Sequence, residues 1–203
     1  MSVAIPSWQI DGVLFDLDGT LVDTAPDLAA ALNAALRHHQ QSELAYQVIR
    51  PIVSNGANAL IKLGFGSQLS PAEHEKITQF FLAHYQQNIA NESALFQGLD
   101  RALEHLENQQ IPWGIVTNKP EFLTTPLLKA LGLYDRAACI VCGDQVSRPK
   151  PHPEPILLAC KKLDISPNNA IYLGDAERDI RAGRLAGLKT IACAFGYIPD
   201  TDN

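Results

Sequence analysis

Hydrophobic positions follow two different rhythms along this chain. Between about Thr24 and Asn91 they recur at helical spacing. Thr24-Ala25-Pro26-Asp27 has the form of a helix start with proline in its first turn, and Leu28, Leu32, Ala35 and Leu36 then share one face. Ser70-Pro71-Ala72-Glu73 is a capping box. It opens a second helix whose Ile77, Phe80, Phe81, His84 and Tyr85 form a stripe. A small polar turn, Ser54-Asn55-Gly56-Ala57-Asn58, lies between the two.

From Gly98 onward the rhythm changes. Helical stretches alternate with short apolar runs at residues 113–116, 139–142, 170–173 and 190–194, and Gly132 and Gly187 each close a helical stretch. Residues 10–15 form one more such run near the start. Strands separated by helices imply parallel crossovers. The expected fold is therefore α/β, a doubly wound parallel sheet with a helical block inserted after its first strand. Residues 1–23 and 94–203 would form the discontinuous core, and residues 24–93 a helical cap.

Composition narrows the function classes. A 203-residue chain, 46% hydrophobic and 19% charged, has room for one domain with an insertion. Its net charge of −6 argues against nucleic acid or an anionic membrane as partner. The first ten residues lack a basic and apolar leader pattern, and no apolar run approaches membrane-spanning length, so a cytoplasmic protein is expected. Cys139 and Cys142 form a lone C-x-x-C inside a strand-like run, which points the two thiols to opposite faces. With Cys160 and Cys193 they read as buried thiols rather than metal ligands.

The candidate chemistry gathers where strands end. Val13-Leu14-Phe15-Asp16-Leu17-Asp18-Gly19-Thr20 places two carboxylates where an apolar run breaks at a glycine. Two such charges in an apolar setting invite a hard divalent cation, Mg²⁺ first among them. Thr117-Asn118-Lys119 follows the run ending at Val116, Lys150 stands in a proline-punctuated loop, and Asp175 and Asp179 follow the run ending at Leu173. In a doubly wound sheet these loops converge on one crevice. Lys119 either reaches a substrate or is solvated, and the two readings stay open. Asp23 reads as a turn residue and His38-His39 as part of a solvated helix face.

Taken together, these motifs resemble the haloacid dehalogenase-like hydrolases over nearly the whole chain. Asp16-Leu17-Asp18-Gly19-Thr20 resembles the first motif of that family, Thr117 the second, Lys150 the third, and Asp175 with Asp179 the fourth. The helical insert is similar to the cap of the phosphoglycolate phosphatase-like branch. The resemblance implies a phosphatase in which Asp16 is the nucleophile and Asp18 the general acid and base. It further implies that Thr117 and Lys150 hold the phosphate, to whose oxygens the Asn118 amide can also donate a hydrogen bond. Mg²⁺ would be bound by Asp16, the Asp18 backbone carbonyl and Asp175, with Asp179 in support. Asn55, Gly56 and Ala57 resemble the cap loop that enters the site, with Arg50 just ahead of it.

The expected partner is a small phosphorylated metabolite, with 2-phosphoglycolate first. N-acetylmuramic acid 6-phosphate follows, since Val116-Thr117-Asn118-Lys119-Pro120 and Ser54-Asn55-Gly56-Ala57 also resemble the phosphatases acting on that sugar. A phosphosugar mutase or a phospho-accepting signalling module would share the strand-end aspartate, although a signalling module lacks both an acid placed like Asp18 and a helical cap. Family members usually run on past the segment equivalent to residues 194–197, so either the chain is shortened or the sheet ends early and leaves an exposed edge; a monomer or weak homodimer is expected.

Overall fold

Gly12-Val13-Leu14-Phe15 presents four residues in a row without a polar side chain, and a run of that kind is at rest only when both faces are covered. A computed structural model describes residues 10–198 and covers it on both faces. The first half of the chain comprises β1 (Gly12–Phe15), β2 (Val22–Asp23), α1 (Ala25–His38), α2 (Tyr46–Ile49), a 3-10 turn (Arg50–Asn55), α3 (Ala57–Phe65) and α4 (Pro71–Gln87). The second half comprises β3 (Ala94–Leu95), α5 (Leu99–Asn108), β4 (Trp113–Val116), α6 (Glu121–Ala130), β5 (Cys139–Val141), α7 (Glu154–Leu163), β6 (Ala170–Gly174), α8 (Glu177–Leu185) and β7 (Lys189–Ala192).

Five strands form one parallel sheet in the order β5-β4-β1-β6-β7. The strand order reverses beside β1, and such a switch point opens a crevice at the carboxyl ends of the strands. Alternation divides the core between the two faces. Val13 and Phe15 join one apolar cluster with Trp113, Ile115, Leu103 and Leu127, whereas Leu14 joins the opposite cluster with Val116, Val141, Ile156 and Tyr172. The expected strands are all present with shifted ends: the first begins at Gly12 rather than residue 10, and the last is Lys189–Ala192. β7 lies at a sheet edge and is largely exposed.

Between β2 and β3 the chain is mainly helical, with non-helical links at residues 40–45, 66–70 and 88–93. The turn before α3 is 3-10. Pro51 and Gly56 account for that departure, since proline supplies no amide hydrogen and Gly56 adopts φ 81°, ψ −179°, a region that glycine alone occupies readily. Helices α1, α3 and α4 pack against one another, burying Leu32, Leu36, Leu60, Ile77, Phe81 and Tyr85. The capping box stands as expected: Ser70 N–H donates to Glu73 Oε2 at 2.9 Å, and Glu73 N–H to Ser70 Oγ at 3.3 Å.

The two crossings into and out of this helical layer are pinned. Antiparallel β2 and β3 pair Val22 with Leu95 and Asp23 with Ala94. Buried Asp27 accepts hydrogen bonds from the Glu92 and Ser93 amides and the Ser93 hydroxyl. Tyr197 OH accepts from Thr24 N and Ala25 N at 2.6 and 2.9 Å and donates to Asp23 Oδ1 at 2.7 Å. A phenol thus caps α1. Two-residue strands are too short to leave a period, so this ribbon was not expected.

Candidate active site

The chain leaves the sheet at Phe15 and turns sharply. Asp16 N–H still pairs with Leu173 O at 2.8 Å, whereas Leu21 and Val22 fold back onto Leu17 O. Asp16 and Asp18 therefore both lie beyond the strand, which ends at Phe15 where the apolar run ends. The turn passes through Gly19 at φ 88°. A Cβ there would collide with the Asp175 carboxylate, so glycine is needed both for its backbone and for its lack of volume.

One ammonium group organises the floor. Lys150 Nζ is buried and sits 2.7 Å from Asp16 Oδ1 and from Asp179 Oδ1, and 2.8 Å from Val116 O and Tyr172 OH. The Asn118 side chain fastens this lysine: its Nδ2 donates to Lys150 O at 2.9 Å, and its Oδ1 accepts from Lys150 N at 3.0 Å. The Asn118 side chain thus acts on Lys150. Thr117 is buried beside it and accepts Lys119 N–H at 3.1 Å on its hydroxyl oxygen.

The carboxylates outnumber the cations. Asp16, Asp175 and Asp179 each bring an oxygen within 4.8 Å of the others. Burial, reinforced by Asp179, raises the Asp16 carboxyl to about 7 despite the opposing pull of Lys150. Burial also raises Asp175, against the Tyr197 amide that donates to its Oδ2 at 2.8 Å. Asp175 Oδ1 is buried without a hydrogen-bond partner. Such an oxygen is costly unless a cation completes it. Three carboxylates and an orphaned hard oxygen fit a divalent metal with oxygen ligands. Asp179 has fewer lone pairs to spare, since it already accepts from Lys150 and from the Ala176 amide.

Asp18 stands apart from that cluster. Its Oδ1 accepts from Thr24 Oγ1 at 2.6 Å and from Lys119 Nζ at 2.9 Å. Lys119 is neither solvated nor loose. Its Nζ also donates to Tyr85 OH at 2.9 Å and stands 4.6 Å from the centre of that ring.

Above the floor lies a cavity of about 530 Å³. Asp16, Asp18, Thr117, Asn118, Lys119 and Lys150 line it below, and Asn55, Gly56 and Ala57 line it from the helical side. Its upper wall is apolar, with Val53, Phe81 and Leu82 prominent. The 3-10 turn is tied down to the floor. Ser54 Oγ donates to Asp175 Oδ2 at 3.1 Å and lies 3.5 Å from the Asp18 carbonyl, and Arg178 donates to Ser54 O. Arg50 turns away from the cavity, donating to Gly196 O and Phe195 O. Thr24, Ser54, Tyr85 and Arg178 escaped sequence reasoning. Thr24 stood there only as a helix start and Ser54 only in a polar turn, whereas a buried tyrosine in an apolar stripe such as Tyr85 requires a partner for its hydroxyl.

Of the remaining expectations, His38 and His39 are exposed, and all four cysteines are free and buried, with burial raising each thiol to about 11. Among the described residues no helix is long and apolar enough to cross a membrane.

A family model described as haloacid dehalogenase-like hydrolase matches residues 13–193. The N-acetylmuramic acid 6-phosphate phosphatase of Pseudomonas aeruginosa is 43% identical over 195 residues, covering 96% of this chain and 86% of the relative. The phosphoglycolate phosphatase of Xanthomonas campestris pv. campestris is 40% identical over 185 residues, covering 91% and 83%. The crystal structure of a predicted phosphoglycolate phosphatase from Haemophilus somnus 129PT superposes with a TM-score of 0.86 at 30% identity, covering 95% of this chain and 88% of that one.

Proposed function

This chain belongs to the haloacid dehalogenase-like hydrolases, and on that premise we propose that it hydrolyses phosphate monoesters through an aspartyl-phosphate on Asp16. One observation carries the reading: a single buried ammonium, Lys150, holds Asp16 and Asp179 at 2.7 Å beside an Asp175 oxygen that has no partner. Phosphoryl transfer needs positioning and neutralised charge more than it needs covalent chemistry from the protein, and this floor supplies both.

In this reading Asp16 attacks phosphorus and the ester P–O bond breaks. The Asp18 carboxyl gives its proton to the departing alkoxide. The Asp18 carboxylate then takes a proton from water, whose oxygen attacks the same phosphorus. The Asp16 O–P bond breaks, and both aspartates return to their starting forms. Lys150, Thr117 and the Asn118 amide contact the phosphoryl oxygens. Asp16, the Asp18 carbonyl and Asp175 would hold Mg²⁺, with Asp179 in support. Bound there, the ion would neutralise charge between an anionic nucleophile and an anionic substrate.

Residues 24–93 serve as a cap on a core made of residues 1–23 and 94–203. Asn55, Gly56 and Ala57 meet the substrate from the cap side, and closure keeps water from the acyl-phosphate until it is needed. The substrate is a small phosphorylated metabolite with a second acidic group, 2-phosphoglycolate first. The cavity supports a second reading, N-acetylmuramic acid 6-phosphate. At about 530 Å³ with an apolar wall it has room for an N-acyl sugar, where a two-carbon ester would fill little of it.

Phosphate release from both compounds and from common sugar phosphates, with and without Mg²⁺, tests the proposal. Turnover that needs Mg²⁺ and vanishes in Asp16→Asn is expected, and full activity of that variant contradicts it. The ratio between the two named substrates decides between the readings.

A further inference from the structure

Lys119 is oddly placed for a stabilising residue. Burying an ammonium costs more than an ion pair commonly returns, and apolar replacements of such pairs are often neutral for stability. Lys119 is nonetheless enclosed, with 7% of its side chain exposed, between an acid of the core and a phenol of the helical layer. Lys119 and Thr24 both bond Oδ1 of Asp18, and among the described residues Oδ2 has no hydrogen-bond partner. Asp18 is thereby held by one oxygen, and the residue lines the cavity. The second anchor of Lys119 sits on α4, a different element, at the buried Tyr85. Thr24, the third member, opens α1. Its side chain makes no cap hydrogen bond to that helix and is given to Asp18 instead.

We propose that Lys119, seated by Tyr85, is a positioning residue that aims Asp18 at the leaving oxygen, so that proton transfer is armed only when helix α4 lies over the core. This rests on the phosphatase reading above and deepens it, because it joins the helical layer to the acid–base step as well as to substrate choice. A lysine that only fills space would leave leaving-group dependence untouched. A lysine that aims the acid matters where the leaving group needs a proton, and little where it does not.

The test compares the alkyl phosphate that the wild-type enzyme turns over best with p-nitrophenyl phosphate, whose phenolate leaves unprotonated. With Lys119→Met, kcat on the alkyl ester is expected to fall roughly 10²-fold with KM within about threefold, the scale of losing oriented acid–base catalysis. The first-turnover burst of nitrophenolate should stay within about threefold of wild type, since it reports attack by Asp16 alone. Tyr85→Phe removes one oxygen from an otherwise intact wall and should show the same pattern at roughly three- to tenfold, so the test survives even if Lys119→Met fails to fold. In an Asp18→Asn background, Lys119→Met should add no more than about twofold, because the two residues act as one unit. Equal losses on the burst and on the alkyl ester, a change confined to KM, or independent effects in the double variant would each overturn the proposal. Absence of turnover of any ester by the wild-type enzyme would instead overturn the phosphatase reading on which it rests.

Discussion

The two walls of the cavity are built on opposite principles. The floor comes from four sheet-end loops and is charged, buried and cross-braced: Lys150 alone touches four oxygens, and the Asn118 side chain grips its backbone at two points. The roof comes from α4 and the 3-10 turn and is mainly apolar, joined to the floor by a few directed bonds from Ser54, Tyr85 and Arg178. A floor of that kind suits chemistry common to every phosphate ester. A roof of that kind suits discrimination between alcohols, because apolar walls can be reshaped without stranding charges. Substitutions should therefore separate by wall.

Asp16→Asn strikes the floor hardest. It should lower turnover of every ester in a panel by at least about 10⁴-fold, uniformly across substrates, as loss of a nucleophile does. A loss confined to one ester would break the comparison.

Leu82→Ala, a half-buried change in the roof, should instead alter the ratio of kcat/KM between N-acetylmuramic acid 6-phosphate and 2-phosphoglycolate by about 10-fold, the usual worth of a few methylenes in a pocket. An unchanged ratio would show that the roof does not select.

The floor should also respond to pH and metal. With the Asp16 carboxyl raised from 3.8 to about 7 in the folded metal-free chain, that chain holds a proton which the unfolded chain has lost. The resulting stability is present below pH 4 and disappears as pH rises through about 7. Mg²⁺ must displace the same proton, so the rise in Tm that it produces should grow between pH 5.5 and pH 8. A metal-induced shift that shrinks over this range would contradict the crowded-carboxylate account.

The smallest effect belongs to neither wall. Arg136 pairs with Asp100 and Glu107 on the outer face, and Arg136→Ala should cost no more than about 1 kcal/mol by thermal unfolding and leave turnover unchanged.

Legibility in the sequence followed the same division. The floor could be read because its residues lie in the segments that follow apolar runs, and such segments converge by topology at one end of a parallel sheet. The helical layer was legible as elements, from the spacing of Leu28, Leu32 and Leu36 and the capping box at Ser70. Its contacts to the floor were not legible. Lys119 and Tyr85 lie 34 positions apart and Ser54 and Asp175 lie 121 apart, and no local period encodes which side chains meet across a fold. The Asp23–Tyr197 bond at the crossing was hidden for the same reason. Asn118 shows a subtler limit: its place after β4, at the crevice, followed from sequence, whereas the commitment of its side chain to Lys150 depends on a loop conformation.

The claim on which all of this depends is that Asp16 carries the phosphoryl group during turnover. Asp18→Asn slows hydrolysis of that adduct while leaving p-nitrophenyl phosphate able to react, so the variant should accumulate it. Acid quench, proteolysis and mass spectrometry should then find a phosphoryl group on the peptide containing Asp16, and on no other. An unmodified Asp16 peptide during steady turnover, or a phosphoryl group elsewhere, would contradict the account.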